Sequence, residues 1–265
     1  MNIFLHELRA YSKSTTIWTV SLIIMVVLFL SIFPTFAKDA EEYQKLLEGY
    51  PEAVRKAIGL ELNTVFTILG FYSYSFLYIT LCGAIQAMNL GTSIVSKETR
   101  EKTADFLLTK PVTRSNIMTS KLLAALTSLM ITNIVFIIAS YVMASQVSTE
   151  AYSNKGLFLI SFSLFLIQLI FLALGLIISV IARKIKSVLT VSLSTVFTFF
   201  IISMISSASG DGAKRYLSPF EYFDTSYIIE HSRYESSFLA VGMGIIVVAV
   251  MASYYVYTKK DIHAV

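Results

Sequence analysis

Charge is what this sequence has least of. Asp, Glu, Lys and Arg together supply 14% of its 265 residues, against about 25% in ordinary soluble domains. The shortage is uneven. Charged side chains are absent altogether from 14–37, 62–96, 122–149, 156–182, 187–210 and 236–258, and each run exceeds the roughly 20 residues a helix needs to cross the hydrocarbon core. Backbone groups in lipid must bond within their own segment, so such runs form helices. The expected fold is all-α. It is a polytopic membrane protein with six transmembrane helices, over about 16–36, 65–95, 119–145, 157–181, 188–207 and 237–257, in a single transmembrane domain spanning 1–265.

Other shortages narrow the chemistry. The one cysteine, Cys82, lies inside a span and has no intrachain partner for a disulfide. The three histidines, His6, His231 and His263, are scattered through loops and termini without metal-ligand spacing, so no metal site is expected. Serine and threonine are plentiful, yet no acid or histidine lies within the six runs to activate one, which argues against an intramembrane hydrolase or an enzyme of lipid metabolism. The same absence disfavours proton or sodium coupling, and no convincing inverted repeat is visible. There is no G-x-x-x-x-G-K-[ST] phosphate loop; Gly210-Asp-Gly-Ala-Lys214 has the wrong spacing. The chain is therefore not expected to be an enzyme. If it pumps, energy enters from another subunit.

The charges that are present carry orientation. A net charge of +4 and a pI near 9.0 would suit nucleic acid only with an aromatic-basic pattern, and none is seen. Lys and Arg concentrate at Arg9 and Lys13, through 97–121, at 183–186 and at Lys259-Lys260, whereas most acids fall in the alternate segments. The positive-inside rule then places both termini and the 96–121 loop in the cytoplasm, N-in and C-in.

That loop has the densest charge in the chain. Lys97, Glu98, Arg100, Glu101, Lys102 and Asp105 precede an apolar knuckle, Phe106-Leu-Leu108, and then Lys110-Pro111, Arg114 and Lys121. Glu98 and Lys102 stand four apart and brace a short surface helix. Phe106, Leu107 and Leu108 form an apolar anchor of the kind that dominates interfaces. Pro111 stops the helix, and Arg114 offers a planar fork to acidic or carbonyl groups of a partner.

Elsewhere, residues 2–13 read either as an amphipathic helix in the headgroup layer, with Phe4, Leu8 and Tyr11 on one side, or as a charged flank to the first span. Pro51 to Gly59 looks like a short outside helix with proline in its first turn and glycine at its C-cap. Thr80, Gln86 and Asn89 in the second span, and Thr190, Ser194 and Thr198 in the fifth, are candidates for a translocation path or, more blandly, for helix packing. In the outside segment 209–235, Ser218, Pro219 and Glu221 fit a capping box. Phe220, Phe223 and Tyr227 would then share one side, as an interfacial anchor or an outside gate.

Glu98-Thr-Arg-Glu-Lys-Thr-Ala-Asp-Phe-Leu-Leu-Thr-Lys-Pro-Val-Thr-Arg114, placed between a second and a third span, resembles the cytoplasmic coupling segment of ABC-2 type transporter permeases. Tyr50-Pro-Glu-Ala-Val and Leu217-Ser-Pro-Phe-Glu-Tyr-Phe-Asp224 are similar to further stretches of that family. The resemblance implies a permease subunit of an ATP-driven exporter in a cell membrane, a bacterial cytoplasmic membrane. It also implies a dimer with a second copy or a paralogue, and a separate cytoplasmic ATPase that binds the ATP and magnesium, with no cofactor on this chain. Glu98, Glu101, Thr103, Leu107, Leu108, Pro111 and Arg114 would form the coupling site. The weakly polar spans suit an amphipathic or hydrophobic substrate such as a peptide, an antimicrobial or a lipid-like molecule. The alternative is a scaffold or immunity-type membrane protein that docks a cytoplasmic partner and moves nothing.

Overall fold

The computed structural model describes residues 3–101, 112–148, 150–182, 184–210 and 212–259, with the backbone alone over 98–101. Nine α-helices are formed among these residues: α1 (Ile3–Lys38), α2 (Ala40–Glu48), α3 (Glu52–Ala57), α4 (Ile68–Glu101), α5 (Arg114–Val147), α6 (Asn154–Ile181), α7 (Val188–Ser209), α8 (Thr225–His231) and α9 (Ser236–Lys259). Two short 3-10 turns, Gly212–Leu217 and Pro219–Glu221, lie between α7 and α8. No strand occurs among the described residues. Six of the helices, α1, α4, α5, α6, α7 and α9, are long and apolar enough to cross a membrane.

The helix starts have local causes. Thr113, Ser153 and Ser187 each accept a hydrogen bond from the backbone N–H three residues on, so α5, α6 and α7 all begin on a hydroxyl cap. The end of α7 is set by Gly210, which takes the left-handed conformation (φ +65°) that a side chain would resist. Pro51 precedes α3 as its cap rather than occupying its first turn, and Gly59 (φ +71°) turns the chain after it.

Packing is led by two parallel pairs, α4 with α6 and α1 with α5, while α9 lies along α6 and α7 along α4. The α4–α6 pair is the tightest. A Cβ on Gly91 would stand 2.4 Å from the Leu172 carbonyl oxygen, and one on Gly175 would stand 2.8 Å from that of Met88. Small residues that let two backbones approach are the usual means of joining helices in lipid, where apolar burial against hydrocarbon gains little.

At one end α1 differs from the interfacial helix that residues 2–13 suggest. It runs unbroken from Ile3, and Phe4, Leu8 and Tyr11 pack half-buried against the apolar core. The reason lies with Glu7, which is 4% exposed and faces Lys121 of α5. A buried carboxylate next to a buried ammonium draws the helix onto the bundle rather than onto the headgroups.

Candidate functional site

Three polar regions run along the bundle axis. The first is at the end carrying Arg9, Lys97 and Arg114, which the charge asymmetry assigns to the cytoplasm. Lys121 is fully buried there, 3.6 Å from Glu7 Oε1, and its ammonium donates to the Ile94 carbonyl of α4 in a short hydrogen bond. One side chain thus ties α1, α4 and α5 together. Around it Tyr11 and Ser93 hydroxyls meet at 2.9 Å, and the Tyr254 hydroxyl of α9 donates to Thr119. Arg114, the first residue of α5, donates to the Thr258 carbonyl at 3.4 Å.

The links between α4 and α5 therefore bracket the expected coupling segment. Glu98 and Glu101 lie in the last turn of α4. Lys102, Thr103, Phe106, Leu107, Leu108 and Pro111 lie outside the described residues.

The second region is a buried seam of uncharged polar groups at mid-bundle. The Gln86 amide donates to Thr132 (3.1 Å), whose hydroxyl meets that of Thr19 at 2.8 Å. Gln168 donates to Gln86 Oε1 at 3.1 Å and receives from Asn133 at 2.5 Å. The seam joins α1, α4, α5 and α6. It positions Gln86 as a packing element, while Asn89 is half-buried beside a shallow recess with Tyr11, Ser14 and Trp18. Replacing Gln168 by leucine would strand the partners on both sides, at an expected cost of about 1–2 kcal/mol. Thermal unfolding of the purified chain in detergent measures it, and an unchanged midpoint would show the seam to be energetically idle.

The third region is a cavity of about 420 Å³ at the opposite end, walled by α3 and the turn after it, α4, α7 and the two 3-10 turns. Thr80 lines its deep part, its hydroxyl already bonded to the Phe76 and Leu77 carbonyls. Phe220 and Phe223 line it as well: Phe220 packs on Phe171 and Phe200, and Phe223 is buried edge-on to Tyr234. Tyr227 is not among its lining residues; it stacks on His231 at 4.2 Å, one helical turn away in α8.

The three aromatics therefore do not share one helix face, and the expected capping box is not made. Ser218 accepts from the Phe220 N–H and donates to the Phe199 carbonyl. Glu221 turns instead toward α7, where its Oε1 accepts from Ser207 at 2.7 Å and from Ser203 in a still shorter bond. A three-residue 3-10 turn cannot bring the third residue back over its own cap, and the serine pair offers two hydroxyls in place of one N–H. Arg215 secures the rim, 2.6 Å from Glu235 and 3.7 Å from Asp224, with its guanidinium over the Phe238 ring. Burial pushes the Tyr222 and Tyr234 phenols upward, which keeps both as donors to the Tyr216 and Leu159 carbonyls. On the exposed rim, the Lys56 ammonium holds the Glu52 carboxyl below its usual range.

Thr190, Ser194 and Thr198 stand on the exposed face of α7, away from both the seam and the cavity. Thr198 donates to the Ser194 carbonyl and Thr190 to Ser187. The candidate path residues thus occupy four separate places. The buried or half-buried polar groups that single-residue reading passed over, Asn133, Gln168, Ser203 and Ser207, carry one faint sequence signal. They are amides at mid-span, or serines at helical spacing within reach of Glu221.

Six helices long and apolar enough to cross a membrane define a multi-pass membrane protein. The chain belongs to the ABC-2 family of transporter proteins: that family's profile matches residues 1–262, nearly the whole length. Membership supports a permease role. A search among curated proteins finds no match.

Proposed function

We propose that the chain is the membrane subunit of an ATP-driven exporter, working as a dimer on two copies of a separate cytoplasmic ATPase. The observation that carries this reading is the family match over residues 1–262, because permeases of this family generally work with an ATPase subunit. The arrangement at the basic end supports it. The segment between Glu101 and Arg114 is short, and the helices on either side are clamped by the Glu7–Lys121–Ile94 contact. A push on a segment so anchored reaches α1, α4 and α5 together, which is what switching a bundle between two packings requires. The proposed coupling residues are Glu98, Glu101, Lys102, Thr103, Phe106, Leu107, Leu108, Pro111 and Arg114. The exposed hydroxyl face of α7, with Thr190, Ser194 and Thr198, is open to a second copy or to a passing substrate that is amphipathic.

The test is a double substitution, Leu107→Ala with Leu108→Ala. Removing two apolar anchors is expected to weaken capture of the ATPase by about tenfold or more and to lower transport in step. Helix content and thermal midpoint should stay at wild-type values. Purification of the tagged chain from its native membrane in mild detergent reads out the ATPase. Full retention of the ATPase and of transport by the double variant would sink the coupling assignment.

A further inference from the structure

The cavity at the acidic end holds a carboxylate whose surroundings no packing need explains. Lys56 and Arg215 both line the cavity, but each is already held by an acid, Glu52 and Glu235 respectively, at 2.6 Å. Asp224 spends one oxygen capping α8, accepting from Ser226 and Tyr227. Glu221 is different. Its carboxylate receives hydroxyls: Ser203 and Ser207 donate to Oε1, and among the described residues no basic side chain forms an ion pair with that carboxylate, the Arg215 guanidinium donating instead to the Glu221 backbone carbonyl at 3.2 Å. Two neutral donors on one oxygen fix the carboxylate in place without giving it an ion-pair partner of its own.

A second, independent feature points the same way. Ser206 lies between those two serines, lines the same cavity and is 3% exposed, yet its hydroxyl has no hydrogen-bond partner. Buried polar atoms without partners are uncommon and call for a reason. A ligand group with both a donor and an acceptor side supplies one. The lining also has an apolar share, with Phe76, Leu77, Ile167 and Phe220. A volume near 420 Å³ is in the range of small-molecule sites, and polar anchors at one end of an apolar lining give such sites their orientation.

We infer that this cavity binds the ammonium end of an amphipathic amine, with the cation on Glu221, an N–H or hydroxyl group beside Ser206, and the apolar body against Phe76 and Ile167. The inference rests on the exporter reading only for calling that molecule cargo; the binding itself needs neither the ATPase nor transport. It narrows the substrate class from any amphipathic molecule to cationic ones.

The probe is rhodamine 6G, a cationic amphiphile. Its fluorescence polarisation is followed on titration with the full chain in dodecyl maltoside, with protein-free micelles as background. Saturable binding is expected. It should fall about tenfold or more in Glu221→Gln, where a charge-assisted contact is lost but the serine bonds can persist, and similarly in Ser206→Phe, which fills the cavity without touching charge. Glu41→Gln, on the exposed surface of α2 and outside the cavity lining, should bind as the wild type does. The anionic dye 8-anilinonaphthalene-1-sulfonate should bind far more weakly.

Supplementing the micelles with phosphatidylethanolamine separates the sources of the amine. Unchanged affinity identifies a soluble amphiphile as the occupant, and competition identifies the lipid amine on the same carboxylate. No saturable binding above background, equal binding by both variants, or equal preference for the anion would overturn the inference. Should both variants unfold, the preference of the wild type for cation over anion still decides it. Intact binding alongside failed ATPase capture would overturn the exporter reading alone, and the reverse would overturn this one alone.

Discussion

Lys121→Leu is expected to lower the stability of the purified chain by about 3–5 kcal/mol, the usual cost of leaving one member of a buried ion pair without the other. Lys121 is fully buried and Glu7 is 4% exposed, so neither charge has water to fall back on. The loss is compounded at two points. The Ile94 carbonyl gives up the ammonium it accepts from, and Glu7 Oε2, already buried without a partner, is left on a carboxylate with no counter-charge. In a chain of this length the midpoint of thermal unfolding should drop by about 6 °C or more. Adding Glu7→Gln to Lys121→Leu removes the stranded charge and should restore much of the difference, because a buried pair replaced as a pair is often close to neutral. Unfolding scans on the two single variants and the double variant test this. A Lys121→Leu midpoint level with the wild type would mean that the contact does not hold the bundle. Should stability return in the double variant while ATPase stimulation does not, the pair would be acting as the transmission between α1 and the α4–α5 link rather than as a rivet.

Much of the fold was legible because lipid leaves so few options. A charge-free run longer than 20 residues has to be a helix, and all six appear, with hydroxyl caps at Thr113, Ser153 and Ser187 marking where three begin. The buried charges were not legible, since Glu7 and Lys121 lie outside the charge-free runs, where a charge ordinarily meets water. Their burial depends on each finding the other across 114 positions, and no local pattern records such a pairing.

The candidate site shows the same division. Helical spacing put Thr190, Ser194 and Thr198 on one face, and they do share one, exposed on α7. Spacing alone does not say whether such a face looks inward, because hydroxyls can satisfy carbonyls of their own helix. Gln86 was visible by itself, whereas its value in the fold comes from Thr132 and Gln168 on other helices. For Glu221, the motif Ser218-Pro-Phe-Glu matched a local cap, and the serines of α7 outcompeted it. The coupling residues from Lys102 to Pro111 lie outside the described residues, so their assignment rests on sequence pattern and resemblance.

Gly91→Leu is expected to destabilise the bundle through sterics alone, by somewhat less than the loss of Lys121. The new Cβ would stand 2.4 Å from the Leu172 carbonyl oxygen and 3.2 Å from the backbone nitrogen of Leu176. Both are backbone atoms of α6 that no rotamer change can move, so the helices must part by about 1 Å or more before the rest of the leucine is placed; overpacking of this kind costs about 1–3 kcal/mol. Separation also loosens the Gln168–Gln86 bond and shifts Ser73 and Thr80 of α4 against Ile167 of α6, all three of which line the acidic-end cavity. The penalty should therefore appear twice, as a lower unfolding midpoint and as weaker binding of a cationic amphiphile. Gly175→Leu should act alike, since its Cβ would meet Met88, Thr92 and Gly91 backbone atoms at 2.8, 2.9 and 3.1 Å. Gly244 supplies the control: it is an exposed helical glycine, and a Cβ added there would have nothing within 4 Å. Gly244→Ala should leave stability unchanged or raise it by the roughly 1 kcal/mol that alanine gains over glycine in a helix. Equal tolerance at Gly91, Gly175 and Gly244 would mean that α4 and α6 are not in backbone contact, and the cavity wall they share would have to be redrawn.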